Sequence, residues 1–165
     1  MRNRIVLVLV LIVSFIGATL LFAQEKEGFK SGSEPDGFRG IKWGTNVNEI
    51  KDLEYIQTMK DGRKIYTRIG DKMQIGNAQL DTIWYSFLDD KFYSVFVSTK
   101  KGHCNELNAA VVSTFGEGYR TRFGETQYRG VITWADLICR ADQGRLNLTS
   151  KKGQEQTHRD VKDDF

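Results

Sequence analysis

Two runs of alternating residues, set back to back, constrain this chain more than anything else in it. In residues 81–88, Ile83, Tyr85 and Phe87 alternate with Thr82, Trp84 and Ser86. A period of two belongs to a strand that buries one face. Asp89-Asp90-Lys91 supplies a turn. Residues 92–98 then resume with Tyr93, Val95 and Val97 on one side and Phe92 and Phe96 on the other. So short a connection joins antiparallel strands only, and the pair predicts the centre of an antiparallel sheet.

Further strands gather around that centre. Residues 65–69 are β-branched and aromatic and stop at Gly70-Asp71, while Gly76-Asn77 reads as a hairpin turn between Met73-Gln74-Ile75 and Ala78-Gln79-Leu80. Later strands are expected at 119–123, 127–134, 137–141 and 145–149, with Asp142-Gln143-Gly144 turning the last pair and Leu137, Cys139, Leu146 and Leu148 facing inward. Two short helices interrupt the strands. The first is expected over 46–53, where Asn46 caps, Glu49 stands at the capping-box spacing, and Val47 and Ile50 supply an apolar face. Before it, Phe38, Ile41 and Trp43 are apolar anchors, and Gly40 and Gly44 let the chain turn. The second opens at Asn105, carries Leu107, Ala110, Val111 and Phe115 as a stripe, and stops at Gly116-Glu117-Gly118. The fold class is therefore α+β, an antiparallel sheet with two short helices packed on one face. The order helix, strands, helix, strands also allows a degenerate tandem repeat.

The N-terminus predicts export. Met1-Arg2-Asn3-Arg4 is basic, residues 5–22 are almost wholly apolar, and a polar stretch begins after Ala23. That is a secretory signal peptide over 1–23, with an uncleaved membrane anchor as the alternative reading. A flexible linker over 24–37, a single domain over 38–150 and a charged tail over 151–165 complete the division. The protein is placed in the periplasm or outside the cell. Loss of 1–23 removes Arg2 and Arg4, leaving 22 basic against 21 acidic residues. Such a balance, with no clustered basic face, argues against a nucleic-acid partner. Contact with a membrane is expected only through an uncleaved N-terminus. Cys104 and Cys139 are the two cysteines, and in an oxidising compartment they are expected to pair.

No catalytic motif stands out. The two histidines, His103 and His158, belong to no nucleophile–base pattern. His103 beside Cys104 lacks zinc-ligand spacing, so no metal site is assigned, and no cofactor. Gly116-Glu117-Gly118 lacks the third glycine of a dinucleotide loop, and Asn147-Leu148-Thr149 fits a glycosylation acceptor. The aromatic residues carry the remaining signal. Most are expected to fill the core. Trp84, Trp43, Tyr85 and Trp134 are the candidate binding residues, and Trp84, which shares its strand face with Thr82 and Ser86, is the one expected to face solvent or a partner. The reading is a non-catalytic binding or interaction domain of the cell envelope, whose partner is an envelope protein or a small ligand. The alternatives are a hydrolase using paired carboxylates from among Asp81, Asp89 and Asp136, and a small-ligand carrier with an aromatic-lined cavity.

Gly44-Thr45-Asn46-Val47-Asn48-Glu49-Ile50 and the Phe115-Gly116 step resemble the helix-opening and helix-closing pieces of small bacterial envelope domains of the SmpA/OmlA and β-lactamase-inhibitor-like kind. The resemblance implies a non-enzymatic envelope protein with a sheet used for contacts.

Overall fold

Asp89 and Asp90 both take left-handed backbone, at φ 48° and 59°, which is the geometry a two-residue hairpin turn demands and Asp tolerates. The computed structural model describes residues 28–156, so the signal peptide with its anchor alternative, and the tail beyond 156, lie outside the described residues. In chain order the first strands are β1 (Gly37–Phe38), β2 (Ile41–Lys42), β3 (Leu53–Thr58), β4 (Lys64–Arg68), β5 (Gln74–Ile75), β6 (Ala78–Leu88) and β7 (Lys91–Thr99). The helix α1 (Cys104–Phe115) follows, and then β8 (Tyr119–Arg120), β9 (Thr126–Arg129), β10 (Thr133–Arg140) and β11 (Gln143–Ser150).

Apart from the small β1–β2 ribbon, the strands form one nine-stranded sheet in the order β3-β4-β6-β7-β11-β10-β9-β8, with β5 paired to β6. Every pairing in it is antiparallel. The mainly antiparallel sheet of a mixed fold is thus present. Its order is palindromic in kind: a first meander ends at β7, a second ends at β11, and these two last strands meet at the centre.

The core lies on one face only. Ile83, Tyr85 and Phe87 of β6, Val95 and Val97 of β7, Leu146 and Leu148 of β11, Ala135 and Leu137 of β10 and Tyr128 of β9 are buried there. Leu107, Val111 and Phe115 of α1 close over them. The ring pairs Tyr85–Phe92, Phe87–Phe92 and Phe115–Tyr128 lie 5.8, 5.4 and 5.6 Å apart between centroids. Aromatic side chains fill this interior, as a cavity-walled carrier would not have them do.

Several local expectations are corrected, most of them by a tertiary partner. The helix expected over 46–53 is a single 3-10 turn, Val47–Glu49. Asn46 does cap it, accepting from the Asn48 N–H at 3.0 Å. However, the Val47 N–H goes to the Asp90 carbonyl at 2.9 Å, the Gly44 N–H donates to the Phe92 carbonyl at 2.7 Å and the Phe92 N–H to the Thr45 carbonyl at 2.9 Å, so the segment is stitched to β7 instead of continuing as a helix. The second helix starts at Cys104, with His103 at the cap, two residues before Asn105, the cap expected from sequence.

In β7, Ser94 faces Ser86 and Phe92 faces Phe87, which leaves Tyr93 as an unpaired extra residue. This bulge swaps the two aromatics: Phe92 enters the core and Tyr93 turns to the opposite face. The run expected over 127–134 is broken, because β9 ends at Arg129 and β10 begins at Thr133. The Glu34 carboxylate takes the N–H groups of Ile132 and Thr133 at 2.6 and 2.8 Å and holds the chain in a turn.

Glu34 belongs to a segment expected to be a flexible linker. Its described part, from residue 28, is instead a strap. Phe29 packs on Phe115 and Tyr128 at 5.0 and 5.4 Å. The Lys30 N–H donates to the Phe115 carbonyl at 2.6 Å. At the other end, residues 151–156 of the expected tail are helical. Cys104 and Cys139 are bonded, with Cα atoms 5.8 Å apart.

Candidate functional site

Among the described residues α1 packs on the core face, while on the opposite face only the helical residues 151–156 approach, against Tyr93 at one edge. Register lays out what this opposite face presents. Trp84 of β6 stands beside Phe96 of β7, then Asn147 of β11, Asp136 of β10 and Gln127 of β9. One row over, Ile65 is followed by Ser86, Ser94, Thr149, Trp134 and Arg129. Two aromatic platforms therefore share one face. Three strand spacings and one row separate Trp84 from Trp134 by roughly 16 Å, with hydroxyl and amide groups between them.

Each platform is held. The Trp84 ring leans on Phe96, centroids 5.6 Å apart, and remains 39% exposed. Arg129 lays its guanidinium over the Trp134 ring at 5.3 Å and donates to Asp136 Oδ1 at 2.6 Å. Between them the Ser94 hydroxyl bonds Asn147 Oδ1 and Thr149 Oγ1 at 3.2 and 3.1 Å. The groove over this face has a volume of about 540 Å³ and includes Arg63 and the displaced Tyr93. Arg63 donates to Asp61 at 2.6 Å and reaches the Tyr93 hydroxyl at 3.4 Å. Burial raises the Tyr93 phenol above its usual value although the Arg63 guanidinium opposes the shift. Both charged groups of the groove, Arg63 and Asp136, already have counter-ions. The groove thus offers aromatic faces and neutral hydrogen-bonding groups, the chemistry of a binding surface.

The four candidate aromatics do not form one site. Trp84 and Trp134 share the open face. Tyr85 lies fully in the core, 0% exposed, where its hydroxyl donates to Asp71 Oδ2 at 2.6 Å. Trp43 sits at a different place, packed on Phe92 at 4.8 Å with its indole N–H on Thr133 Oγ1 at 2.7 Å. It lines a second cleft, of about 780 Å³, bounded by the strap, the β9–β10 turn and the helical residues after β11.

The carboxylates of the hydrolase reading lie apart. Asp136 lines the groove beside Arg129, Asp81 borders a separate depression of about 190 Å³, and Asp89 lies in the β6–β7 turn accepting from Gln156. Among the described residues no three metal-ligating side chains come together. His103 stands at the cap of α1, and His158 lies outside the described residues. Asn147 is half-buried at mid-strand and hydrogen-bonded to Thr149, a poor place for a glycan.

Alternation in the sequence already sets Phe96 opposite Val95 and Val97, and Asn147 stands out there only as a glycosylation acceptor; neither is a binding candidate, and Arg129, Val131 and Ile132 are not marked at all. Arg129 carries no local signal, because its platform forms only through pairing of β9 with β10. Compared with known protein families, curated proteins and solved structures, the chain matches none of them.

Proposed function

We propose that this chain is an exported, non-catalytic binding domain of the cell envelope that holds a partner protein on the open face of its sheet. The observation that carries the reading is the half-exposed Trp84, seated on Phe96 at the head of a face whose other side is sealed by α1. A tryptophan left outside a filled core, with neutral polar groups around it, is the usual anchor of an interface. The Cys104–Cys139 bond suits an oxidising, exported setting. The resemblance to SmpA/OmlA and β-lactamase-inhibitor-like envelope domains points the same way, and the two meanders meeting at β7 and β11 fit a degenerate duplication. A small polar ligand is the second reading, favoured by the hydroxyl and amide lining of the groove.

The test is affinity capture of tagged protein from crosslinked envelopes, run in parallel for wild type, Trp84→Ala and Phe123→Ala. Phe123 is 67% exposed in the turn between β8 and β9 and serves as the surface control. Trp84→Ala is expected to keep the fold, costing about 1 kcal/mol. It should lower affinity for a captured protein about 30-fold, while Phe123→Ala leaves it unchanged. Equal capture by all three forms would remove the site from the open face.

A further inference from the structure

We propose that the second cleft is a membrane-contact surface, by which the folded domain rests on a bilayer containing anionic phospholipid. This surface is separate from the Trp84 face.

Val131 and Ile132 form the tip of the β9–β10 turn, 80% and 45% exposed. They are not loose. Glu34 takes the N–H groups of Ile132 and Thr133 at 2.6 and 2.8 Å, the Gly130 N–H donates to the Thr133 carbonyl at 2.9 Å, and the Lys151 N–H donates to the Ile132 carbonyl at 2.9 Å. A Cβ on Gly130 would collide with the Glu34 carboxylate, 2.0 Å from its Oε1. The chain is fixed so that two branched apolar side chains project into solvent, where they gain nothing in the isolated molecule.

The rim around the tip is basic. Lys42, Lys91, Lys151 and Lys152 line the cleft together with Asp36 and Glu155, a surplus of two positive charges. Lys42 is held by Asp36 at 2.9 Å. Among the described residues no ion pair engages Lys91, Lys151 or Lys152. The packed rings of Trp43 and Phe92, tilted 33° to each other, lie inside this rim. An apolar tip ringed by lysines, three of them without an ion pair among the described residues, matches a bilayer surface in both respects: Val131 and Ile132 enter the acyl boundary, and the ammonium groups lie at the level of the lipid phosphates. The charge complementarity selects anionic over zwitterionic lipid.

The experiment uses the protein as exported, with the N-terminus the cell leaves on it, and vesicles of phosphatidylcholine alone or with about 25% phosphatidylglycerol. Two readouts are taken. In the first, Lys151→Glu/Lys152→Glu and Val131→Asp/Ile132→Asp are each expected to weaken co-sedimentation with the anionic vesicles at least about tenfold. Binding of the wild type should also fall as salt rises from about 0.1 to about 0.5 M. The N-terminal segment is common to all forms, so differences between them report on the folded domain. The second readout localises the contact. Val131→Trp should add indole emission that shifts to the blue and is quenched by brominated acyl chains on the anionic vesicles only. Near-UV circular dichroism checks that each variant is folded. A folded Val131→Trp whose new indole stays in water on anionic vesicles overturns the proposal, as does binding that ignores both charge reversal and the tip. Trp84→Ala should bind vesicles like wild type, which keeps this test separate from the partner-binding reading.

Discussion

At the scale of single residues, Tyr85 shows how far placement outweighs residue type. Its ring is core and its hydroxyl reaches Asp71, which is also paired with Arg39. Burial, and then the Asp71 carboxylate, push the phenol well above its usual 10.0 although Arg39 and Arg68 pull the other way. A group whose pKa is raised by folding contributes stability that is whole below the unfolded value and is lost as pH rises beyond it. The loss at Tyr85 therefore begins above pH ~10. Absorbance titration should find Tyr85 among the tyrosines that ionise late, with the buried Tyr93 and Tyr128 also raised. In Tyr85→Phe the late step should shrink by one tyrosine, at a cost of about 1–2 kcal/mol at neutral pH for the lost hydrogen bond. A phenolate forming at Tyr85 in the folded protein near pH 10 would contradict the geometry. Asp52 has the opposite sign. The Arg68 guanidinium, bonded at 2.6 Å, holds its carboxyl below the ordinary 3.8. That contribution is present above pH ~4 and is lost as pH falls through the lowered value. Asp52→Asn should therefore lower the melting temperature at pH 7 and differ less from wild type in strong acid.

At the scale of elements, a close backbone approach joins helix to sheet. Gly144 of β11 passes under α1, and a Cβ there would lie 2.9 Å from Leu107 Cδ2, 3.3 Å from Thr99 Cγ2 and 3.4 Å from the Cys104 Cα. Gly144→Ala should cost about 1–3 kcal/mol by overpacking, read from chemical denaturation, and a neutral result would mean that α1 rides higher on the sheet. The same residues mark how much of the fold was legible. Where a strand alternates against a buried face, as in β6, the pattern alone set Ile83, Tyr85 and Phe87 on one side and Trp84 on the other, although Tyr85, read also as a binding candidate, is wholly core. The paired aspartates gave the turn. What local pattern could not show was set by partners distant in sequence. The Tyr93 bulge exists only against β6, the 3-10 turn follows from bonds to β7, and the β9–β10 break depends on Glu34, almost a hundred residues away (|i−j| 98). Val131 and Ile132 looked like strand interior for this reason, and the surface they form was invisible. The open face was half legible: Trp84 announced itself by its polar neighbours, whereas Trp134 joined it only through the β10–β11 register.

At the scale of the whole molecule, the sheet is unevenly supported. α1 packs on β6, β10 and β11, close to the seam where the two meanders meet. At one end β3 is an edge strand whose residues after Leu53 are all exposed, including Tyr55 and Ile56. Stability should follow that gradient, since opening is cheapest where burial is least. Native-state hydrogen exchange is expected to be slowest in β6, β7 and β11 and fastest in β3 and β4. The Cys104–Cys139 bond adds a second constraint, closing a sequence separation of 35 between the start of α1 and the end of β10. Loop entropy gives it about 3–4 kcal/mol, which Cys104→Ser/Cys139→Ser should lose. Because the bond lies far from β3 in the strand order, its removal should act unevenly on the protection pattern. Amides of α1 and of the β10–β11 hairpin tip should exchange faster at once, while β3 and β4, already opening locally, should change little. If β3 and β4 were instead to lose protection in step with α1, the sheet would be opening as one unit. The two proposed surfaces, one on the open face and one at the β9–β10 tip, would then be coupled through it. The uneven pattern is the expected one, and it leaves Trp84 and the Val131 tip on a common scaffold whose seam is its most stable part.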